Sequence, residues 1–185
     1  GYDDIPTDIV KLSITCIASH LAKIVNKSFA EGNVPNLLKI AKVCPIYKAG
    51  EATKISNYRP ISVLPSFSKI FEKLVYNRLI NYLTKFSILY EHQYGFRSNL
   101  STSLAILEMV EKITDAIDSN KFSVGIFIDL SKAFDTINHK ILINKLEFYG
   151  IRGIALNWFI SYLSNRQQYV LFNGTASARL PVTCG

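Results

Sequence analysis

A chain of 185 residues with 49% hydrophobic and 12% aromatic side chains against 19% charged has enough apolar material for a packed interior, which excludes a disordered polypeptide. The net charge is +7 and its excess is local: residues 23–97 hold 12 Lys/Arg against four acids, a field that suits a polyanion as well as a solvated surface. No apolar run reaches the roughly 18 residues of a membrane span, Gly1–Ile5 lacks a signal-peptide progression, and Cys16, Cys44 and Cys184 form neither a ligand spacing nor an even disulfide set, so a reducing intracellular setting is expected.

Ile9, Leu12, Ile17, Leu21, Ile24 and Val25 recur at near-helical spacing and predict a helix that stops by Gly32. Ala41–Tyr47 and Ile61–Leu64 are short apolar runs on either side of a polar, basic loop, and read as two strands. After Pro65, an apolar stripe from Phe67 to Phe86 predicts a helix whose Lys69, Lys73, Arg78 and Lys85 fall largely outside the stripe. A further helix is expected from Thr102 to Ile117, introduced by Ser101–Ser103.

Phe122–Leu130 is nearly all apolar, the pattern of a strand covered on both faces. Helices are expected over His139–Tyr149, stopped by Gly150, and over Ile154–Leu163. Tyr169–Phe172, Asn173-Gly174 and a run to Val182 form a hairpin signal whose outgoing strand Pro181 weakens. No repeat and no linker marks a second domain.

Within the 122–130 run, alternation puts Gly125, Phe127 and Asp129 on one face. An ionised carboxylate beside apolar surroundings is costly without a cation or several donors, so Asp129 either binds something or sits at the strand's wet end. The residues around it decide more: Ile128-Asp-Leu-Ser-Lys-Ala-Phe-Asp-Thr-Ile-Asn-His139 resembles the first catalytic motif of reverse transcriptases from non-LTR (LINE-like) retrotransposons. Pro45-Ile-Tyr-Lys48-Ala-Gly50, Asn57-Tyr-Arg-Pro-Ile-Ser62 and Gln93-Tyr-Gly-Phe-Arg97, leading to Ser101-Thr102, precede it in the family's order. The resemblance covers essentially the whole chain.

That resemblance implies an α+β, right-hand polymerase fold: helices on a small, mainly antiparallel sheet, with residues 1–120 as fingers and 121–185 as the start of a palm. It implies RNA-directed DNA polymerase activity, with deoxynucleoside triphosphates, an RNA template and a DNA primer as partners. Asp129 and the backbone carbonyl of Leu130 would be ligands for catalytic Mg²⁺, of which the family uses two. Lys48 and Arg59 would meet the incoming triphosphate, and Phe134 would be the aromatic gate against a 2′-hydroxyl. Gln93, Gly95, Phe96 and Arg97 would lie along template and primer.

By residue chemistry alone, Lys48 and Arg59 are two solvated cations, Phe96 and Phe134 are packing residues, Asp135 is a helix-cap residue and His139 is a helix-surface or packing histidine. Tyr2-Asp3-Asp4 imitates the family's Tyr-x-Asp-Asp hairpin but precedes Asp129 and leads into a helix, so it reads as an exposed acidic N-terminus. That hairpin and a thumb are expected to follow Gly185 in the parent protein, which leaves residues 1–185 inactive on their own. The competing readings are a remnant that binds nucleic acid without catalysis and a group II intron-like enzyme; the wording of the motifs favours the retrotransposon branch. Intracellular residence, in nucleus or cytoplasm as a ribonucleoprotein, follows from the same resemblance, while the sequence sets no oligomeric state.

Overall fold

In the computed structural model, which describes residues 1–185, the first helix α1 (Thr7–Glu31) ends where Gly32 takes a left-handed φ of 64° and donates its N–H to Ser28 O. Glycine meets that conformation without a Cβ penalty. A 3₁₀ turn, Asn36–Lys39, leads into β1 (Ile40–Tyr47), which pairs antiparallel with β2 (Tyr58–Val63) from Lys42↔Val63 to Tyr47↔Tyr58. The second strand therefore starts three residues earlier than its apolar run, because Tyr58, Arg59 and Pro60 continue the ladder.

Helix α2 (Ser66–Lys85) follows Pro65, then α3 (Thr102–Asp118), α4 (His139–Phe148) and α5 (Gly153–Leu163). The last strands are β3 (Gln167–Phe172), β4 (Thr175–Ala176) and β5 (Leu180–Pro181). Asn173 and Gly174 turn the hairpin with φ of 46° and 78°, the positive pair that such a two-residue loop requires. Proline at 181 has no N–H for a ladder, and the outgoing strand is broken into two short pieces, both paired with β3. Strand β3 also lies parallel to β1, Ile40↔Gln167 to Val43↔Val170, so the sheet order is β2-β1-β3-β4. The class is the expected α+β, with one parallel pairing in a mainly antiparallel sheet.

The chain divides into two compact units, residues 1–76 with 132–185, and residues 77–131. In the first unit, Val25, Val34, Phe71 and Trp158 form a buried cluster, with Leu21, Phe29, Leu38, Val75, Phe159 and Tyr162 against it. Trp158 stacks on Tyr162 at 5.3 Å between ring centroids and meets Phe29 edge-on at 5.9 Å. Its indole N–H donates to Ser28 Oγ at 3.1 Å, which satisfies the one polar atom that burial brings inside. Lys39 is also buried; its ammonium donates to Asn36 Oδ1 and Ser161 Oγ, and desolvation lowers its pKa.

Tyr162 donates its hydroxyl proton to Glu72 Oε1 at 2.5 Å. Burial, and then that hydrogen bond, push the phenol up from 10.0 to about 12. The folded state holds this proton more tightly than the unfolded chain, so the stabilisation is complete below pH 10 and is lost as pH rises from 10 to about 12. Urea midpoints measured across that window should fall for the native chain, and Tyr162→Phe should remove this part of the fall.

The second unit departs from expectation at its most apolar segment. Residues 121–130 form no strand, and Phe122, Val124, Ile126, Phe127, Ile128 and Leu130 are all exposed. A strand cannot satisfy its own backbone; it needs a neighbour's N–H and C=O groups, and no strand of residues 1–185 pairs with this run. The apolar alternation is present without a sheet to receive it. No helix is long and apolar enough to cross a membrane.

Candidate nucleotide and nucleic-acid interface

The loop between β1 and β2 is built from its own residues. Lys48 N donates to Asn57 O at 2.8 Å, Tyr58 Oη to Ala52 O at 2.8 Å, Asn57 Nδ2 to Glu51 O at 2.9 Å, and Tyr47 Oη to Gly50 O. The Tyr47 and Tyr58 rings meet edge-to-face at 5.6 Å across the last rung. This fixes the hairpin end from which Lys48 and Arg59 project; both are exposed, and the loop's ion pair is Lys54 with Glu51. An anion reaching this end of the hairpin meets two cations that no carboxylate of the loop engages.

Gln93–Arg97 occupies a turn-rich segment between α2 and α3. Gln93 Nε2 donates to Gly95 O at 3.3 Å, and Arg97 Nη1 to Tyr90 O at 3.0 Å and Glu91 O at 3.4 Å. The guanidinium thus braces its own loop and keeps further N–H donors for a second partner. Beyond its chain neighbours, nothing lies within 4 Å of where a Gly95 Cβ would stand, and the left-handed residue is Phe96, with φ of 60° and an exposed side chain.

Asp129 and Leu130 stand in the segment 121–130 of the second unit, which is neither helix nor strand, and are exposed to solvent. Phe134 lies in the first unit, in a turn where Asp135 N donates to Lys132 O at 3.0 Å and Thr136 Oγ1 to the same carbonyl at 3.2 Å. The last residues hold this turn: Gly185 N donates to Ile137 O at 3.0 Å, and the His139 Nε2 stands 2.9 Å from Gly185 O. Asn138, not Asp135, caps α4, accepting from Lys140 N at 2.9 Å and Ile141 N at 3.2 Å. Asp135 sits three residues too early to reach those amides. His139 is half-buried at the start of α4, consistent with a packing role.

The N-terminal acids are less idle than an exposed tail. Asp4 pairs with Lys42 of β1 at 2.7 Å, and this hydrogen bond and charge lower its pKa, while Asp3 is largely covered, with 17% of its side chain exposed. Sequence reasoning missed a second constellation altogether. Glu108 of α3 lies 2.6 Å from His92 Nδ1 and 2.5 Å from Lys112 Nζ and accepts the Tyr94 hydroxyl proton. The Glu108–Lys112 spacing of four was a legible helix-face signal; the loop partners were not.

As to metal, Asp129 and the Leu130 carbonyl are hard oxygen donors of the type a divalent ion takes, but no group of three or more acidic, histidine or cysteine side chains converges anywhere in the chain. These residues do not by themselves make a two-ion site.

Residues 46–185 match the family model described as reverse transcriptase (RNA-dependent DNA polymerase), and the chain belongs to that family. Among its relatives are three proteins of Drosophila melanogaster. The probable RNA-directed DNA polymerase from transposon BS is 32% identical, over 90% of this chain and 18% of its own length. The RNA-directed DNA polymerase from mobile element jockey is 30% identical, over 100% and 20% respectively, and the probable enzyme from transposon X-element 33% identical, over 82% and 17%. The likeness falls among the non-LTR retrotransposon polymerases, as the motifs imply, and the chain spans about a fifth of the length of these relatives. The family's chemistry uses divalent metal ions.

Proposed function

We propose that the protein containing this chain is an RNA-directed DNA polymerase that extends a DNA primer on an RNA template, and that this chain supplies its nucleotide- and duplex-handling elements. Family membership and the two uncompensated cations at the hairpin end together carry the reading: Arg59 stands opposite Ile46 in the ladder, Lys48 follows its last rung Tyr47↔Tyr58 and donates its N–H to Asn57 O, and neither pairs with an acid of the loop. A lysine point charge and an arginine fork both suit triphosphate oxygens whose charge grows as pyrophosphate departs. Residues 1–120 are the fingers in this reading and 121–185 the start of the palm. Asp129, with the Leu130 carbonyl, is this chain's contribution to a Mg²⁺ site that other parts of the protein complete. The protein acts inside the cell, in nucleus or cytoplasm, as a ribonucleoprotein.

Binding tests the handling role directly. Affinity of residues 1–185 for an RNA–DNA duplex should fall steeply as salt rises, with a slope on logarithmic axes of about −0.9 per phosphate neutralised. Salt-independent or absent binding would leave the basic stretch as mere surface and defeat the proposal.

Phe134 is assigned the gate against a ribose 2′-hydroxyl. Its ring is 65% exposed, so a sugar can reach it. In the complete enzyme, Phe134→Ala should raise ribonucleotide incorporation about tenfold or more relative to deoxynucleotide, a change of about 1.4 kcal/mol in discrimination. An unchanged ratio would remove Phe134 from the gate.

A further inference from the structure

We infer that Glu108 is a positioning residue for the Gln93–Arg97 segment, acting through a clasp with His92, Tyr94 and Lys112; the inference rests on the reading that this segment contacts primer and template. The segment has a backbone that does not hold itself easily. Phe96 and Asn99 are both left-handed, with φ of 60° and 65°, and such conformations in residues other than glycine persist where surroundings enforce them. Neither helix nor strand covers residues 86–101. Arg97 and Gln93 brace the loop against its own carbonyls, which shapes it without anchoring it.

Glu108 ties the loop to a rigid element. Its Oε2 accepts from Tyr94 Oη, and its Oε1 lies 2.6 Å from His92 Nδ1 and 2.5 Å from Lys112 Nζ. Two loop residues and one residue of the next helical turn thus share both oxygens of one carboxylate. Only 21% of the Glu108 side chain is exposed, although the helix around it, from Glu111 to Asp115, faces solvent. The helix is itself fixed at its start, where Ser101 Oγ accepts from Leu104 N at 3.3 Å. The Tyr90 and His92 rings meet edge-to-face at 5.2 Å, so the carbonyl that receives Arg97 belongs to a residue in contact with the clasp.

The charge arrangement fits a surface that faces phosphate. A carboxylate without partners would repel a nucleic-acid backbone, and Glu108 has the Tyr94 hydroxyl, the His92 ring and the Lys112 ammonium against it. Lys112 and the Tyr94 hydroxyl, with His92 beside them, hold the Glu108 carboxyl down at about 2, so it stays ionised and engaged with the loop, while Arg97 donates to the Tyr90 and Glu91 carbonyls.

The test uses the full-length enzyme and a fluorescein-labelled DNA primer annealed to an RNA template. Glu108→Gln and Tyr94→Phe should each raise the KM for primer–template about tenfold while kcat stays within about twofold, with thermal unfolding unchanged. In an Arg97→Ala background, Glu108→Gln should add little, because both changes disable the same contact. If Arg97→Ala raises KM but Glu108→Gln and Tyr94→Phe do not, or if they lower thermal stability and kcat alike, the clasp is not a positioning device. If Arg97→Ala itself leaves KM unchanged, the assignment of Gln93–Arg97 to nucleic acid fails and the clasp's role with it.

Discussion

Replacing Asp129 by Asn in the complete enzyme should lower primer extension at least about a thousandfold, equivalent to about 4 kcal/mol at the barrier, while binding of primer–template is retained. Asn keeps the size and a carbonyl oxygen but removes the charge on which a divalent cation depends. The rival reading is physical and definite. Asp129 is exposed in a segment with no secondary structure, and substitutions at such surfaces usually change stability by no more than about 0.5 kcal/mol. Asp118, exposed at the end of α3, supplies the comparison: Asp118→Asn should leave extension as it is. Equal behaviour of the two variants would remove Asp129 from the reaction. Residues 1–185 alone, with one such carboxylate and no converging partners, should add no deoxynucleotide.

Trp158→Ala should destabilise the chain by about 3–5 kcal/mol, the range for deleting a large aromatic from a packed interior. Trp158 is 4% exposed and has Phe29 and Ser28 of α1 and Tyr162 of its own helix against it, in the cluster that also holds Phe71 of α2. The loss has a polar part as well. Ser28 Oγ donates to Asn33 O at 2.5 Å, so the indole N–H is one link in a chain that ends at the turn after α1. Trp158→Phe keeps a ring against Tyr162 and should cost about 1–3 kcal/mol, the usual range when a buried acceptor loses its donor. Far-ultraviolet circular dichroism in urea gives both values, since the substitution removes the chain's one tryptophan fluorophore. A cost under about 1 kcal/mol for the alanine variant would place the main core elsewhere.

Local chemistry made much of this molecule readable before any coordinates. Gly32 stops α1, Ser101 caps α3 and Asn173-Gly174 turns the last hairpin because each acts within a few residues of itself. Pairing is a different matter. Nothing in Ile40–Val43 names Gln167–Val170 as its parallel neighbour, since an apolar run states that it wants cover without stating from where. The same ambiguity produced the error at 122–130: apolar content promised burial, and burial requires a partner that these residues do not contain. Asp135 and Asn138 show the finer limit, two good cap residues three positions apart, separated only by where the helix begins. The candidate site was legible as motifs and the clasp was not, because Glu108 meets His92 and Tyr94 through a loop whose shape depends on left-handed residues no pattern marks.

The parallel pairing of β1 with β3 also sets an order of events during synthesis. Ile40 must wait for Gln167, which is 167 − 40 = 127 residues later, and Ser28 waits 130 residues for Trp158. At about 5–20 residues per second, that is roughly 6–25 s in which β1 has β2 on one side and nothing on the other. The loop and helix that carry the Glu108 clasp, from Tyr90 to Lys112, emerge inside that interval. Until then the α1 cluster has Phe71 of α2 but lacks Trp158, so the buried core of this unit closes only when α5 has emerged.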